Sequence, residues 1–157
     1  MPYWQLFYHL VWSTKHREPL ITPDVESIIY ELLRTKGIGL GATVFAINGM
    51  PEHTHVIAAI PPKIAVARFV GQIKGVTATK FNKMGLPNKL YWQAEYGAFS
   101  FDAKRLPNYI AYVDRQKEHH APGSPQSCLC RAQVVAHPDP APHFHPDRRT
   151  KKDVLHR

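Results

Sequence analysis

The order in which strand-like and helix-like segments follow one another in the first 120 residues constrains the fold more than any other feature of the sequence. Short runs of aromatic and β-branched residues indicate strands, and apolar residues three and four positions apart indicate helices. The predicted strands cover residues 3–13, 41–48, 53–60 and 90–101, and the predicted helices cover residues 22–37, 63–83 and 103–119. The first helix is expected to begin with Thr22 as its N-cap and Pro23 in its first position.

This order, βαββαβ followed by α, is typical of one α+β plan, the ferredoxin-like split βαβ (RRM-like) fold. We therefore expect an antiparallel four-stranded sheet with helices on one face, plus a C-terminal helix. Many unrelated functions use this plan, so the fold by itself does not establish a function.

The charge of the chain favours a polyanionic partner, most simply nucleic acid. Its 157 residues carry a formal net charge of +8, although charge alone says nothing about fold. No apolar run is long enough for a membrane-spanning helix, and the first residues lack the basic segment and cleavage site of a signal peptide. The two cysteines, Cys128 and Cys130, are too close in sequence for an unstrained disulfide, which favours a reducing cytosol.

The composition changes near residue 121 and divides the chain into a folded body, residues 1–120, and a tail, residues 121–157. The tail holds six of the 14 prolines and four of the ten histidines, and its apolar residues follow no period. We expect it to be a Pro/His-rich, flexible segment. Its Cys-Leu-Cys sequence and histidines also suggest zinc, but their spacing matches no standard zinc finger.

Two histidines, His53 and His55, stand at the start of the third predicted strand. Alternate residues of a strand project from the same face, so the two imidazoles can bind one divalent metal and leave coordination positions open. The other interpretation is a pair of partly exposed histidines on a sheet face, and the H-x-H pattern alone does not decide between them.

The last predicted helix carries a second chemical feature. Tyr109 lies on the apolar stripe of this helix and is predicted to pack in the core. Tyr112 lies beside the stripe, and Gln116, four residues later, is on the same face. A tyrosine hydroxyl can act as a nucleophile, and a glutamine oxygen can bind a hard metal ion. Packing is the other interpretation of Tyr112.

Together these features resemble the small HUH single-tyrosine transposases of insertion sequences, the insertion-sequence-200-like (TnpA) family. The resemblance covers about residues 5–120. It rests on four segments in the family's order, residues 8–19 (YHLVWSTKHREP), 50–56 (MPEHTHV), 91–100 (YWQAEYGAFS) and 112–120 (YVDRQKEHH). One departure is Thr54 between the two histidines, where the family usually has a hydrophobic residue. Its side chain is expected on the other face of the sheet.

The resemblance implies a DNA strand-transfer reaction. It implies that His53, His55 and Gln116 hold Mg²⁺ (or Mn²⁺), and that Tyr112 attacks DNA to give a 5′-phosphotyrosine link and a free 3′-OH. It also implies single-stranded DNA with subterminal hairpins as substrate and a homodimer, with active sites that are either contained in one subunit or composite. The expected location is the cytoplasm of a bacterium or archaeon, in association with the nucleoid.

Basic and aromatic residues of the body are candidates for contacts with DNA. The predicted basic contacts on the second helix are Lys63, Arg68, Lys74, Lys80 and Lys83. Trp12, Trp92 and Tyr96 are candidates for stacking on bases, with core packing as the alternative. Two further functions remain open, a repeat-associated or domesticated tyrosine transposase with the same chemistry, and a non-catalytic ferredoxin-like nucleic-acid-binding module.

Overall fold

The computed structural model describes residues 3–119. The predicted tail, with its cysteines and the zinc alternative, lies outside these residues. Four strands are present, β1 (Phe7–Ser13), β2 (Thr43–Met50), β3 (His53–Ala59) and β4 (Gly97–Phe101). The α-helices are α1 (Glu26–Gly39), α2 (Val66–Lys83), α3 (Leu106–Asp114) and α4 (Gln116–His119), and short 3₁₀ turns span Lys15–Arg17 and Ala103–Arg105.

The four strands form one sheet in the order β2-β3-β1-β4, and every neighbouring pair is antiparallel. The two central strands, β1 and β3, are also those most deeply buried. This topology confirms the predicted α+β split βαβ plan.

The two faces of the sheet have different coverings because alternate side chains of a strand point in opposite directions. On one face, Leu10 and Trp12 of β1 and Val56 of β3 pack in the main core with buried residues of α1 and α2. On the other face, Ile57 of β3 packs with Val113 of α3 in a smaller cluster. The C-terminal helix α3 therefore lies on the face opposite α1 and α2.

The first helix begins later than predicted. The carbonyl oxygen of Thr22 accepts hydrogen bonds from the amides of Val25 (3.0 Å) and Glu26 (2.9 Å). Residues 22–25 therefore form a turn ahead of the helix, and Val25 is the N-cap residue of α1. The prediction of Thr22 as N-cap was wrong because a turn separates this residue from the helix, which starts at Glu26.

The predicted strand 90–101 is a strand only from Gly97 onwards. The preceding residues follow an irregular path that is held from two sides. The amide of Lys15 donates to the carbonyl of Tyr91 (2.8 Å), and the side chain of Asn82 both donates to and accepts from the backbone of Leu90 (3.0 and 2.7 Å). The aromatic composition of residues 90–96 suggested continuous strand pairing. Instead, side-chain hydrogen bonds and one isolated β-bridge between Thr14 and Trp92 hold this segment.

The predicted helix 103–119 is three pieces. The pieces are the 3₁₀ turn Ala103–Arg105, α3 and α4. Asp102 caps the 3₁₀ turn, since its carboxylate accepts a hydrogen bond from the amide of Arg105 at 3.1 Å. The backbone leaves helical geometry at Arg115, where φ is −94° and ψ is 16°, so that α3 ends and α4 starts at Gln116. No helix within residues 3–119 is long and apolar enough to cross a membrane.

Candidate active site

His53 and His55 lie on the face of β3 that α3 covers. Their ring centroids are 5.1 Å apart, and the ring planes are nearly perpendicular, at 76°. The two side chains are almost fully buried, at 1% and 0% exposure. The interpretation of two partly exposed surface histidines was therefore wrong. Thr54 points to the opposite face as predicted, where it is fully buried and its hydroxyl lies 3.4 Å from the carbonyl of Asn48.

A carboxylate fixes the orientation of the His53 ring. Nδ1 of His53 lies 3.0 Å from Oε1 of Glu52, and Arg17 lies 3.8 Å from the same oxygen. The hydrogen bond from His53 lowers the pKa of Glu52, the charges of His53 and Arg17 lower it further, and partial burial opposes the shift. Because Nδ1 is engaged with an ionised carboxylate, Nε2 is the atom with which His53 would coordinate a cation.

A third histidine, His9 of β1, belongs to the same cluster and was missed in the sequence. Nε2 of His9 lies 2.8 Å from Nδ1 of His55, and the two rings are stacked with centroids 5.1 Å apart. His9 is 1% exposed, and its burial lowers its pKa to about 4. Strand parity was the available signal, because His9 pairs with Ile57, which is two residues from His55 on the same face.

Tyr112 and Gln116 approach this cluster from the C-terminal helices. The Tyr112 ring stands edge-on to His55, with centroids 6.1 Å apart and planes at 88°. Gln116 is fully buried, and its Nε2 donates to the carbonyl of Tyr112 at 3.3 Å. Asn48 of β2 donates to the carbonyl of Asp114 at 2.9 Å, which ties the end of α3 to the sheet. Tyr112 and Gln116 therefore both lie on the histidine side of the sheet, although the helix is broken between them.

Tyr109 has the packing role that the apolar stripe predicted. Its ring stacks on Phe101 of β4, with centroids 4.1 Å apart and planes at 19°. It also packs against the cluster of Ala46, Ile57 and Val113.

The donor groups near His55 suit a divalent cation. Within residues 3–119, no three His, Cys, Asp or Glu side chains converge as a metal site. The candidate ligands on this face are the imidazoles of His53 and His55 and the amide of Gln116. In each, a nitrogen is held by a protein acceptor or donor, so the ligand atoms would be Nε2 of the histidines and Oε1 of the glutamine. Such a mixed set of nitrogen and oxygen ligands fits a site with open coordination positions.

The basic residues predicted to contact DNA separate into two groups. Lys63, Arg68, Lys80 and Lys83 are exposed. Lys74 is only 7% exposed, and its ammonium group donates to the carbonyls of residues 93, 94 and 95 at 2.6, 3.0 and 3.1 Å. Burial lowers the pKa of Lys74 to about 8, and the nearby Glu95 opposes the shift. Since an ammonium group has three N–H donors, the three carbonyls occupy all of them, which argues against a phosphate contact.

The aromatic candidates also differ in exposure. Trp12 is 1% exposed and packs edge-on against Trp92 at 6.0 Å, so it is a core residue. Trp92 is half-buried, whereas Tyr96 is exposed. A groove of about 790 Å³ runs between α2 and residues 91–94, and Lys15, His16 and Tyr91 contribute to its lining. This groove was not predicted from the sequence.

Residues 2–116 match the sequence model of a protein family described as "Transposase IS200 like". The chain is 31% identical over 121 residues to the ISDra2 transposase TnpA of Deinococcus radiodurans, which covers 73% of this chain and 86% of that protein. It is 26% identical over 136 residues to the transposase for insertion sequence element IS200 of Salmonella typhimurium. That match covers 78% of this chain and 90% of the Salmonella protein.

Two solved structures share the fold. One is a Deinococcus radiodurans protein assigned as a transposase, with a TM-score of 0.58, 22% identity, and coverage of 74% of this chain and 95% of that one. The other is a REP-associated tyrosine transposase bound to a REP hairpin, with a TM-score of 0.58, 15% identity, and coverage of 77% and 75%. The match to the family covers most of this chain and includes every residue of the candidate site, and the chain therefore belongs to the IS200-like transposase family.

Proposed function

We propose that this transposase cleaves and rejoins single-stranded DNA at the ends of an insertion sequence, with Tyr112 as nucleophile and a divalent cation at His53, His55 and Gln116. One observation carries the proposal. A tyrosine, two buried histidines and a buried glutamine come together on one face of the sheet, and the Tyr112 ring is 6.1 Å from that of His55.

The chemical step conserves the number of phosphodiester bonds. The hydroxyl oxygen of Tyr112 attacks a backbone phosphorus, an O–P bond to tyrosine forms, and the bond from phosphorus to the 3′ oxygen breaks. The tyrosine loses its proton and the 3′ oxygen gains one, which gives a 5′-phosphotyrosine and a free 3′-OH. Attack by another 3′-OH on the phosphotyrosine reverses these changes, so no nucleotide cofactor is consumed.

The residues of the chain orient the reacting groups. Packing of α3 against the sheet holds the Tyr112 ring beside the histidines, and Glu52 fixes the orientation of His53. The hydrogen bond from Nε2 of Gln116 to the carbonyl of Tyr112 holds the Gln116 amide close to the tyrosine. Mg²⁺ (or Mn²⁺), when bound, would polarise the scissile phosphate and stabilise the negative charge that develops there.

The proposed substrate is single-stranded DNA that carries a hairpin near the cleavage site. The REP-associated transposase of the same fold is bound to a hairpin, which supports this choice. The exposed cations Lys63, Arg68, Lys80 and Lys83 of this chain suit phosphate contacts. The groove beside Tyr91 combines basic and aromatic residues, the combination that single strands require.

We further propose that the protein acts as a homodimer, associated with the nucleoid in the cytoplasm of a bacterium or archaeon. In the chain described here, Tyr112 lies against His55 of the same chain. This contact favours active sites contained within one subunit over composite ones.

The alternative with the same chemistry is a repeat-associated transposase. The equal TM-scores of the two solved relatives favour neither function. The chain is 31% identical to an insertion-sequence transposase and 15% identical to the REP-associated one, and this difference favours insertion-sequence ends as the substrate.

A covalent adduct tests the proposal. The protein is incubated with Mg²⁺ and a labelled single strand whose hairpin comes from the DNA flanking the coding sequence, and the products are separated on a denaturing gel. We expect an adduct in the wild type and in Tyr109→Phe, and none in Tyr112→Phe or after addition of a chelator.

Two results would contradict the assignment. An adduct that persists in Tyr112→Phe and disappears in Tyr109→Phe would make Tyr109 the nucleophile. Hairpin binding without an adduct under any condition would favour the non-catalytic nucleic-acid-binding module.

A further inference from the structure

His9 contacts the one ring nitrogen of His55 that would not bind the metal. Its Nε2 is 2.8 Å from Nδ1 of His55. The two residues are diagonal neighbours on adjacent central strands, since His9 pairs with Ile57. Only a group with an acceptor atom at this position can take part in this hydrogen bond when Nδ1 of His55 carries the proton.

The direction of this hydrogen bond follows from the chemistry of imidazole. A neutral imidazole carries its proton on one nitrogen and a lone pair on the other. If Nε2 of His55 is to coordinate a cation, the proton of His55 must lie on Nδ1. That proton then points at His9, whose Nε2 must accept it, and the proton of His9 lies on its own Nδ1.

The surroundings of His9 hold its ring in the accepting position. It is 1% exposed, and the rings of Phe99, Tyr109 and Tyr112 surround it with centroids 6.0, 5.7 and 5.9 Å away. His9 therefore contacts both the proposed metal ligand, His55, and the proposed nucleophile, Tyr112. A shift of the His9 ring would therefore disturb both groups.

We propose that His9 is a positioning residue that fixes His55 as the Nδ1-protonated tautomer and so prepares its Nε2 for the divalent cation. The inference rests on the proposed metal site at His53, His55 and Gln116. His9 accepts the Nδ1 proton of His55 in the same way that Glu52 accepts the Nδ1 proton of His53. Each proposed ligand histidine therefore has its own acceptor. Such partners typically contribute about 10–100-fold to metal affinity.

Two variants and one control separate this role from simple packing. His9→Phe keeps an aromatic ring but has no acceptor, whereas His9→Gln restores an acceptor oxygen. Tyr3→Phe changes an exposed aromatic residue and serves as the control. All proteins are compared without DNA, so that turnover does not enter the result.

The first readout is the affinity for Mn²⁺, measured by water-proton relaxation, with thermal unfolding of each variant recorded alongside. We expect Mn²⁺ to bind His9→Phe about 10–100-fold more weakly than the wild type, His9→Gln to recover most of the loss, and Tyr3→Phe to match the wild type. Wild-type affinity in a folded His9→Phe, or failure of His9→Gln to recover any of the loss, would overturn the role of His9.

The second readout is the tautomer of His55 in the metal-free wild type, obtained from the ¹⁵N shifts of the histidine rings. We expect the proton on Nδ1, and a proton on Nε2 would overturn the inference even if neither variant folds. A wild type that shows the expected tautomer but binds no Mn²⁺ would instead contradict the proposed metal site. The two failures are therefore distinguishable.

Discussion

At the scale of single residues, burial and hydrogen-bond partners separate the lysine of α2 that supports the fold from those that suit contacts with DNA. Lys74 and Lys80 lie on the same helix, α2, yet the ammonium group of Lys74 is enclosed by three backbone carbonyls and Lys80 is exposed. Residues 93–95 lie outside the four strands, and their carbonyls need hydrogen-bond donors. Lys74 supplies them, and it is a structural residue.

This difference predicts opposite phenotypes for Lys74→Met and Lys80→Met. The first leaves three carbonyls without their donor and should lower the free energy of unfolding by about 1–3 kcal/mol. It should not change the salt dependence of hairpin binding. The second should change stability by less than about 0.5 kcal/mol and reduce the slope of log affinity against log salt by about one.

Urea unfolding and hairpin titrations at several salt concentrations measure the two effects. A reduced salt slope in Lys74→Met with unchanged stability would show that this lysine contacts phosphate after all.

At the scale of elements, the hairpin of β2 and β3 sets the position of the metal-site histidines. Gly49 of β2 pairs with Thr54, and a Cβ on Gly49 would overlap the carbonyl oxygen of His53 and lie 2.8 Å from Cα of Thr54. Only glycine permits this approach, and the start of β3 depends on it. Gly71 of α2 is the opposite case, since its Cβ would meet no atom within 4 Å.

We expect Gly49→Ala to destabilise the protein by about 1–3 kcal/mol through overpacking, and to weaken Mn²⁺ binding because the backbone of His53 must move. Gly71→Ala should stabilise α2 by about 0.5–1 kcal/mol without affecting the metal. Thermal unfolding and Mn²⁺ titration test both variants. Equal stability of the two variants would contradict the close approach of β2 and β3.

The elements also show how far the sequence alone predicts this fold. The strands at residues 3–13 and 53–60 and the helix at 63–83 were placed within a few residues of β1, β3 and α2, because their apolar residues follow the period of their structure. The strand predicted at 90–101 was too long, because contacts with Lys74 and Asn82, distant in sequence, fix residues 90–95. The break at Arg115 has no local signal in the sequence, and the carbonyl of the preceding residue accepts a hydrogen bond from Asn48 of β2.

The candidate site likewise contains residues that the sequence indicated and one residue that depends on contacts distant in sequence. The resemblance to the family indicated His53, His55, Tyr112 and Gln116, and the structure brings them to one face of the sheet. His9 was missed because its role depends on the pairing of β1 with β3. Strand parity gives the face on which His9 lies only once this pairing is known, and the pairing is a property of the topology.

At the scale of the whole molecule, the fold uses its two faces for different purposes. The face covered by α1 and α2 contains the large core, and the opposite face contains the polar cluster and the C-terminal helices. Tyr112 reaches His55 within one chain. In a dimer, this contact predicts that each subunit carries a complete active site.

Mixing of inactive variants tests this arrangement. Tyr112→Phe and His55→Ala are unfolded together, refolded as a mixture and assayed for cleavage of the hairpin strand. We expect no activity, because every site of a mixed dimer lacks either the tyrosine or the histidine. Recovery of activity in the mixture, absent in either variant refolded alone, would show that the helix with Tyr112 serves the partner subunit.

The measurement that tests the central claim most directly is the identity of the residue that becomes linked to DNA. The adduct of the wild-type protein is digested with nuclease and trypsin, and residues 106–115, which contain both Tyr109 and Tyr112, are sequenced by tandem mass spectrometry. We predict a nucleotide linked through its 5′ phosphate to Tyr112. A nucleotide on Tyr109 or on any residue outside this peptide, or cleaved DNA without any linked nucleotide, would contradict the account.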